Sequence, residues 1–422
     1  MMGRVTGRVR WEREGTPWSD LVREIQERRR HDFVWNDPRN LRASYDGGDD
    51  VATIAWEAYS IFRGDNLIYG ASLYPSLPDM ATEVVSIALD LLNAPEGAVG
   101  TITTGGTESI LLAVRTMRNW AKANHPVRGV PAIVAPSTAH AAFNKAGDLM
   151  GLRVVRVPVT HCRGDAEAIA AAITDDTVMI VGSAPAYPMG CVDPIATLSR
   201  LAGERSVWLH VDACIGGFLL PFAKQVGAGV PAFDFELPGV MSISADLHKY
   251  GYSARGASLV LLRRADLADH QRFEFSQWPS GAFNTMTLAG SRPGGAVASA
   301  WAVLRYLGQE GYVSRVKRIF RAKQDLTAAL TRIAGVQVLG DPEASIVGIG
   351  GEDDVDMLAV REGMEARGWR TGVLVEPPGM NVLLNFRHGE VVNEFAEDVR
   401  AVVAEVRAGT VTSKGKQAVY GV

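Results

Sequence analysis

The chain reads as an α/β protein, with a mostly parallel sheet in a large domain and a smaller α+β domain toward its C-terminal end. Three observations predict this. Short apolar runs with the character of buried strands recur between residues 132 and 262. Most gaps between them are long enough for a helix or a crossover, which parallel strands need and hairpins do not. Finally, Asp212 and Lys249 fall at the carboxyl ends of two such runs, where open α/β sheets bind their ligands.

Residues 1–50 are polar, rich in arginine and broken by Gly and Pro, and are expected to form an arm or a pair of short helices. From Met80 to Leu92 the apolar positions Val84, Val85, Ala88, Leu91 and Leu92 recur at helical spacing. Strands are expected at 132–134, 154–157, 178–181, 207–211, 241–244 and 258–262. The last two are joined by a shorter connection containing Lys249 and are read as an antiparallel pair. Ser291-Arg-Pro-Gly-Gly295 punctuates the alternation, and a long helix is expected from Ala296 to about Ile333, followed by strands at 336–339, 345–349 and 382–386. The chain therefore divides into an N-terminal arm (1–50), a large domain (51–300), a small domain (301–410) and a frayed polar tail (411–422).

The length of 422 residues suffices for a large buried core, and 47% apolar with 21% charged residues is an ordinary soluble balance. A net charge of −4 gives no support to nucleic acid or an anionic membrane as the main partner. Cys162, Cys191 and Cys214 are odd in number and lack paired metal-ligand spacing, so neither a disulfide framework nor a metal site is expected. The N-terminal residues lack the apolar core of a signal peptide, and no window approaches a membrane span. A cytoplasmic protein without stable membrane insertion is the expectation.

Four motifs carry chemistry. Thr103-Thr-Gly-Gly-Thr107-Glu-Ser109 opens a helical run, and its glycines and free helix-start N–H groups suit a phosphate. His140 follows a strand and can stack on an aromatic ligand. Asp212 ends the run Trp208-Leu-His-Val-Asp, where a carboxylate can hold a ring nitrogen protonated. Ser242-Ile-Ser-Ala-Asp246-Leu-His248-Lys249 delivers a lysine from an apolar run; burial lowers an ammonium pKa and frees an amine to form Schiff bases with aldehydes. Taken singly, each motif has a plainer reading as a helix cap, a turn residue, a structural histidine or a surface lysine. Their occurrence together, each on a separate element of one sheet, meets the needs of pyridoxal 5′-phosphate: a phosphate anchor, a partner for the pyridinium nitrogen and an imine-forming lysine.

At these residues the chain resembles the sphingosine-1-phosphate lyase group of pyridoxal-phosphate enzymes, related to the group II amino-acid decarboxylases of the aspartate-aminotransferase fold (fold type I). The resemblance rests on Thr104-Gly-Gly-Thr-Glu-Ser-Ile110, on the segment from Ala135 to Ala146, on His210-Val-Asp-Ala-Cys-Ile-Gly-Gly-Phe-Leu219, on Ser242 to Tyr252 and on Ala289-Gly-Ser-Arg-Pro-Gly-Gly295, and it spans roughly residues 70 to 350. It implies that Lys249 forms the Schiff base with the cofactor, that Asp212 pairs with the pyridine nitrogen and that His140 stacks on the ring. It further implies that Gly106, Thr107, Ser244 and His248 bind the cofactor phosphate, with Gly294 and Gly295 reaching in from the second subunit of a homodimer. The implied reaction is a retro-aldol cleavage of a 2-amino-3-hydroxy compound.

Three positions depart from the lyase pattern, and all concern the substrate. Phe283 stands where lyases carry a tyrosine suited to proton transfer. Arg255 replaces the lysine six residues after the Schiff-base lysine and can still bind phosphate or carboxylate bidentately. Tyr74 lies in Ala71-Ser-Leu-Tyr-Pro75, where an Asn-Pro-Leu-His-Pro type of substrate loop is expected. A carbon–carbon lyase acting on an amine with an anionic head group is the first reading. An amino-acid decarboxylase is the alternative, and a pseudoenzyme is argued against by the intact lysine, aspartate and histidine.

Overall fold

The computed structural model describes residue 9, residues 11–352 and residues 354–413, so part of the expected arm and most of the expected tail lie outside the described residues. The arm contains α1 (Trp18–Arg29), which buries none of its residues and places Asp20 in its first turn and Arg28 and Arg29 in its last, as the helix dipole favours. Then follow α2 (Asp49–Ile61), the single turn α3 (Gly70–Leu73) and α4 (Ser76–Leu91), the last covering the helical spacing noted from Met80.

The large domain alternates strand and helix: β1 (Val99–Thr103), α5 (Gly106–Asn124), β2 (Ala132–Pro136), α6 (Ala142–Met150) and β3 (Arg153–Val157). A two-residue pair, β4 (Val159–Thr160) and β5 (Arg163–Gly164), precedes α7 (Ala166–Ala172), β6 (Thr177–Ser183), α8 (Ile195–Arg205), β7 (Trp208–Asp212), α9 (Leu220–Gln225), β8 (Val240–Ala245) and β9 (Ser258–Leu262). The seven-stranded sheet has the order β1-β9-β8-β7-β6-β2-β3. Its four contacts from β8 to β3 are parallel, while β8 with β9 and β9 with β1 are antiparallel. The expected antiparallel pair around Lys249 is therefore present. β1 was not expected: Val99-Gly-Thr-Ile-Thr offers little apolar alternation, and the strand is defined by its partner β9.

Strands β2, β6, β7 and β9 are buried at every position, as a sheet covered on both faces requires. One face packs a cluster that includes Ile180, Leu209, Ile243 and the helices α8 and α11, and the other packs Met179, Val181 and Trp208 against α5 and α6. Each fully buried aliphatic or aromatic side chain there contributes roughly 1.5–3 kcal/mol.

After α10 (Leu267–Gln271), a hairpin of β10 (Phe273–Phe275) and β11 (Phe283–Thr285) projects from the large domain. Next comes α11 (Gly294–Leu330), bent at Gly308, whose φ of 53° lies in the left-handed region that glycine tolerates. The domain boundary expected at residue 300 falls inside this helix, which packs on α2 and α4 with one half and approaches the small domain with the other. The small domain holds β12 (Val336–Leu339), β13 (Ile346–Gly351), α12 (Met357–Ala366), β14 (Gly372–Val375), β15 (Pro378–Leu383) and α13 (Val392–Arg407). Its sheet is antiparallel in the order β12-β13-β15-β14.

Candidate active site

A cavity of about 500 Å³ opens at the carboxyl ends of the parallel strands. It is lined by Gly106, Thr107, His140, Asp212, His248, Lys249 and Arg255, so seven residues singled out in the sequence meet around one cavity. The cradle forms because α5 starts immediately after β1. Its N-cap is Gly105, with no side chain capping the first turn, and a Cβ on Gly106 would stand 2.8 Å from Cys214 Sγ and 2.9 Å from both Asp246 oxygens. Only glycine leaves the helix start open and this close to the strand ends.

Lys249 follows β8 by four residues, and its Nζ lies 2.9 Å from Asp246 Oδ2. Desolvation pulls its pKa down, as the sequence argument held, but Asp246, Tyr45 and Cys214 together outweigh burial and raise it well above the ordinary lysine range. The expectation of a lowered lysine pKa is thereby corrected: with Asp246 alongside, the ammonium form is favoured, and Nζ must give up a proton before it can attack an aldehyde. His248 leans on the same carboxylate, with Nε2 3.7 Å from Asp246 Oδ2. Burial lowers the His248 pKa against the pull of Asp246.

Asp212 ends β7 and is 8% exposed. Its Oδ1 accepts from the Cys214 N–H at 3.1 Å and from Ser244 Oγ at 3.2 Å. Burial acts to raise its pKa, but His140, the Cys214 side chain, Lys249 and His210 override this and leave the carboxyl below its usual value. Behind it runs a chain of polar groups. Trp208 Nε1 donates to Ser242 Oγ at 2.8 Å, Ser242 lies 2.8 Å from His210 Nδ1, and His210 Nε2 lies 3.3 Å from Ser244. Burial depresses the His210 pKa to about 4, so its ring is neutral and one proton arrangement satisfies every member: Ser242 donates to Nδ1, Nε2 donates to Ser244, and Ser244 donates to Asp212. Ser244 thus lies beneath Asp212 and does not line the cavity, in contrast to the phosphate contact the resemblance implied.

His140 accepts from the Ala142 N–H through Nδ1 at 3.1 Å, which leaves its proton on Nε2 in the neutral ring. Desolvation lowers its pKa despite Asp212, so the ring is uncharged at neutral pH. Arg156 secures the loop beneath by donating to Pro136 O and Ala139 O, both at 2.8 Å.

Tyr74 and Phe283 do not line the cavity: Tyr74 closes α3 and Phe283 sits on the projecting hairpin. Gly294 and Gly295 begin α11, buried against their own chain. The Gly294 N–H donates to Asp65 O at 2.8 Å, and a Cβ on Gly295 would meet Tyr59 O at 2.6 Å. Sequence reasoning missed Tyr45, Ser183 and Tyr187, which also line the cavity. Tyr45 lies in the segment read as an arm, and packs edge-on against Tyr250 with ring centroids 5.2 Å apart. Ser183 ends β6, so the rule that ligands sit at strand carboxyl ends was the available signal.

The fit to pyridoxal phosphate is tested by unsatisfied groups. His248 Nδ1 and Ser183 Oγ are buried polar atoms without a hydrogen-bond partner, both on residues lining the cavity. Such atoms are costly unless a ligand completes them. With an open helix start, an imine-forming lysine and an ionised carboxylate opposite, the donor set matches the cofactor's phosphate, aldehyde and ring nitrogen.

The pyridoxal-dependent decarboxylase conserved domain matches residues 11–348. A sphingosine-1-phosphate lyase of Dictyostelium discoideum is 35% identical over 414 residues, covering 97% of this chain and 77% of the relative. An L-aspartate/L-glutamate decarboxylase of Pyrococcus horikoshii is 30% identical over 398 residues, covering 94% of this chain and all of the relative. Among solved structures, a sphingosine-1-phosphate lyase of Burkholderia pseudomallei superimposes with a TM-score of 0.91 at 35% identity, covering 96% of this chain and 95% of the other. A glutamate decarboxylase of Lactobacillus brevis, at 21% identity and a TM-score of 0.81, shares the fold.

Proposed function

The chain belongs to the pyridoxal-dependent decarboxylase family and is a pyridoxal-phosphate-dependent lyase of the sphingosine-1-phosphate lyase type, and from that premise we propose that it cleaves the Cα–Cβ bond of a 2-amino-3-hydroxy substrate with an anionic head group. The observation that carries the substrate reading is Arg255, an exposed guanidinium lining the cavity that also holds the groups a cofactor needs. When bound, the cofactor supplies an electron sink for the carbanion left by bond cleavage.

The residues divide the work. Lys249 holds the cofactor through Nζ, and Asp246 keeps that nitrogen aimed into the cavity. Gly106, Thr107 and His248 take the phosphate. Asp212, kept ionised by its neighbours, would hold a proton on the ring nitrogen of a bound cofactor, and the neutral His140 ring would stack on that ring. Arg255 anchors the head group of the substrate by charge-assisted hydrogen bonds. The phenols of Tyr45 and Tyr187 are among the hydroxyls lining this cavity and are candidates for proton transfer near the cleaved bond, and Tyr45 is near enough to Lys249 to raise its pKa.

Phe283 motivated decarboxylation as an alternative, since a phenyl ring donates no proton. Its place on the hairpin outside the cavity, and the two tyrosines within it, favour cleavage of the carbon–carbon bond. We further infer a homodimer. Exposed Trp56, Ile61, Tyr69, Leu73 and Trp278 leave an apolar surface on α2, α3 and the hairpin that a second copy would cover. We place the protein in the cytoplasm; no helix among the described residues is long and apolar enough to cross a membrane.

Purified enzyme incubated with sphingoid-base phosphates and with β-hydroxy amino acids is expected to release aldehyde from the phosphorylated class. Carbon dioxide from an amino-acid panel without aldehyde from either class would replace this reading with decarboxylation. Light scattering after gel filtration is expected to give twice the chain mass, and the chain mass alone would remove the dimer.

A further inference from the structure

Glu108 stands in the first turn of α5, beside the cradle, and is 7% exposed. A carboxylate this deep is tolerated only when its lone pairs are engaged. Two distant parts of the chain engage them. Oε2 accepts from the Thr104 backbone N–H at 2.7 Å and from Thr104 Oγ1 at 2.6 Å. Oε1 accepts from the backbone N–H groups of Leu288 at 2.9 Å and Ala289 at 3.1 Å. Burial acts to raise the carboxyl pKa, and these four bonds override it.

An ordinary capping box does less than this. There, a glutamate at the third helical position returns to the N-cap N–H and leaves its other oxygen to water. Glu108 reaches past Gly105 to Thr104 and spends its second oxygen on a loop 180 residues away. Two more side chains bind that loop to the strand that feeds the cradle. Gln271 Nε2 donates to Thr101 Oγ1 at 3.0 Å and to Met286 O at 2.8 Å, and Arg292 Nη1 donates to Ile102 O at 2.9 Å. The same loop begins where the aromatic hairpin ends and leads into α11.

We propose that Glu108 is a positioning residue that clamps residues 286–292 onto the cradle, so that occupation of the cradle by the cofactor phosphate and the placement of the β10–β11 hairpin are coupled. This rests on the cofactor reading of the cavity. A phosphate held by the first turn of α5 restricts that turn, and a restricted turn fixes the carboxylate that fixes the loop. Coupling of this kind is reciprocal: a loop released from Glu108 weakens the cradle's hold on phosphate.

The test uses Glu108→Gln, which keeps the shape but turns an NH₂ toward donors on one side or the other. Hydrogen exchange at the Leu288 and Ala289 amides is measured with and without pyridoxal phosphate, and the cofactor dissociation constant is found by titrating resolved enzyme. In the unaltered protein the cofactor is expected to slow exchange at both amides, although neither residue lines the cavity. In Glu108→Gln that slowing is expected to vanish and the dissociation constant to rise on the order of tenfold, one charge-assisted hydrogen bond's worth. Lowered thermal stability with an unchanged dissociation constant and unchanged cofactor-dependent exchange would make Glu108 merely structural and overturn the proposal. If Glu108→Gln does not fold, Thr104→Val, which loses only the hydroxyl bond, is expected to show the same two changes to a smaller degree, with rescue in Thr104→Ser; no change in either quantity would overturn the proposal. Unaltered protein that takes up no pyridoxal phosphate would remove the cofactor reading and this proposal together, whereas uptake without protection at Leu288 and Ala289 removes this proposal alone.

Discussion

Asp212 and Asp246, which line the cavity, and His210 behind Asp212 are at most 8% exposed, and each is hydrogen-bonded to a serine of the central sheet. Arg255, on the rim of the same cavity, is exposed, donates to the backbone carbonyl Ala43 O at 3.3 Å and lies close enough to His248 to lower its pKa. The hairpin with Phe283 stands clear of the cavity altogether. The strand ends thus carry buried, tightly bonded charges, while the rim at Arg255 is exposed and lightly tied. The wall needs fixed charges at fixed places, and only buried strand ends supply those, because buried hydrogen-bond networks admit few alternative arrangements. The rim meets a variable ligand and is built from loops, which tolerate change at small cost in stability.

The comparison breaks most readily at Lys249. Lys249→Ala is expected to lose the visible absorption band of the bound cofactor and to lower activity on the order of a thousandfold or more; survival of the band would move the attachment elsewhere. Asp212→Asn comes next, with kcat expected to fall on the order of a hundredfold as a preorganised charge is lost, while the band is retained. A fall confined to KM would place Asp212 on the substrate side.

Arg255→Ala is expected to leave the cofactor spectrum unchanged and to raise KM for a phosphorylated substrate by about tenfold to a hundredfold, the range for one charge-assisted contact. An altered spectrum would show that rim and wall are not separable. Phe283→Tyr is expected to do least, changing kcat/KM by less than about threefold, as surface substitutions do. A larger gain would sharpen the comparison differently, by showing that a neighbouring subunit's hairpin completes the substrate side.

Much of the wall was legible before the fold. Thr104 to Ser109, Asp212 and Lys249 each sit in a local pattern, a glycine pair opening a helix or a polar residue ending an apolar run, and local patterns need only a few adjacent residues. The rim was less legible. Tyr45 lies in a polar stretch with no periodicity around it, and Tyr74 and Phe283 looked like substrate contacts although neither lines the cavity.

What the sequence determined by itself was the alternation of strands and helices, the antiparallel turn around Lys249 and the set of groups that a pyridoxal cofactor needs. Burial imposes a period on the chain, and that period is readable. Tertiary structure alone decided that Lys249 pairs with Asp246, that Ser244 donates to Asp212, and that Glu108 joins the cradle to residues 288 and 289. Protonation states and long-range clamps depend on distances of about 3 Å between residues far apart in sequence, and no spacing along the chain encodes them.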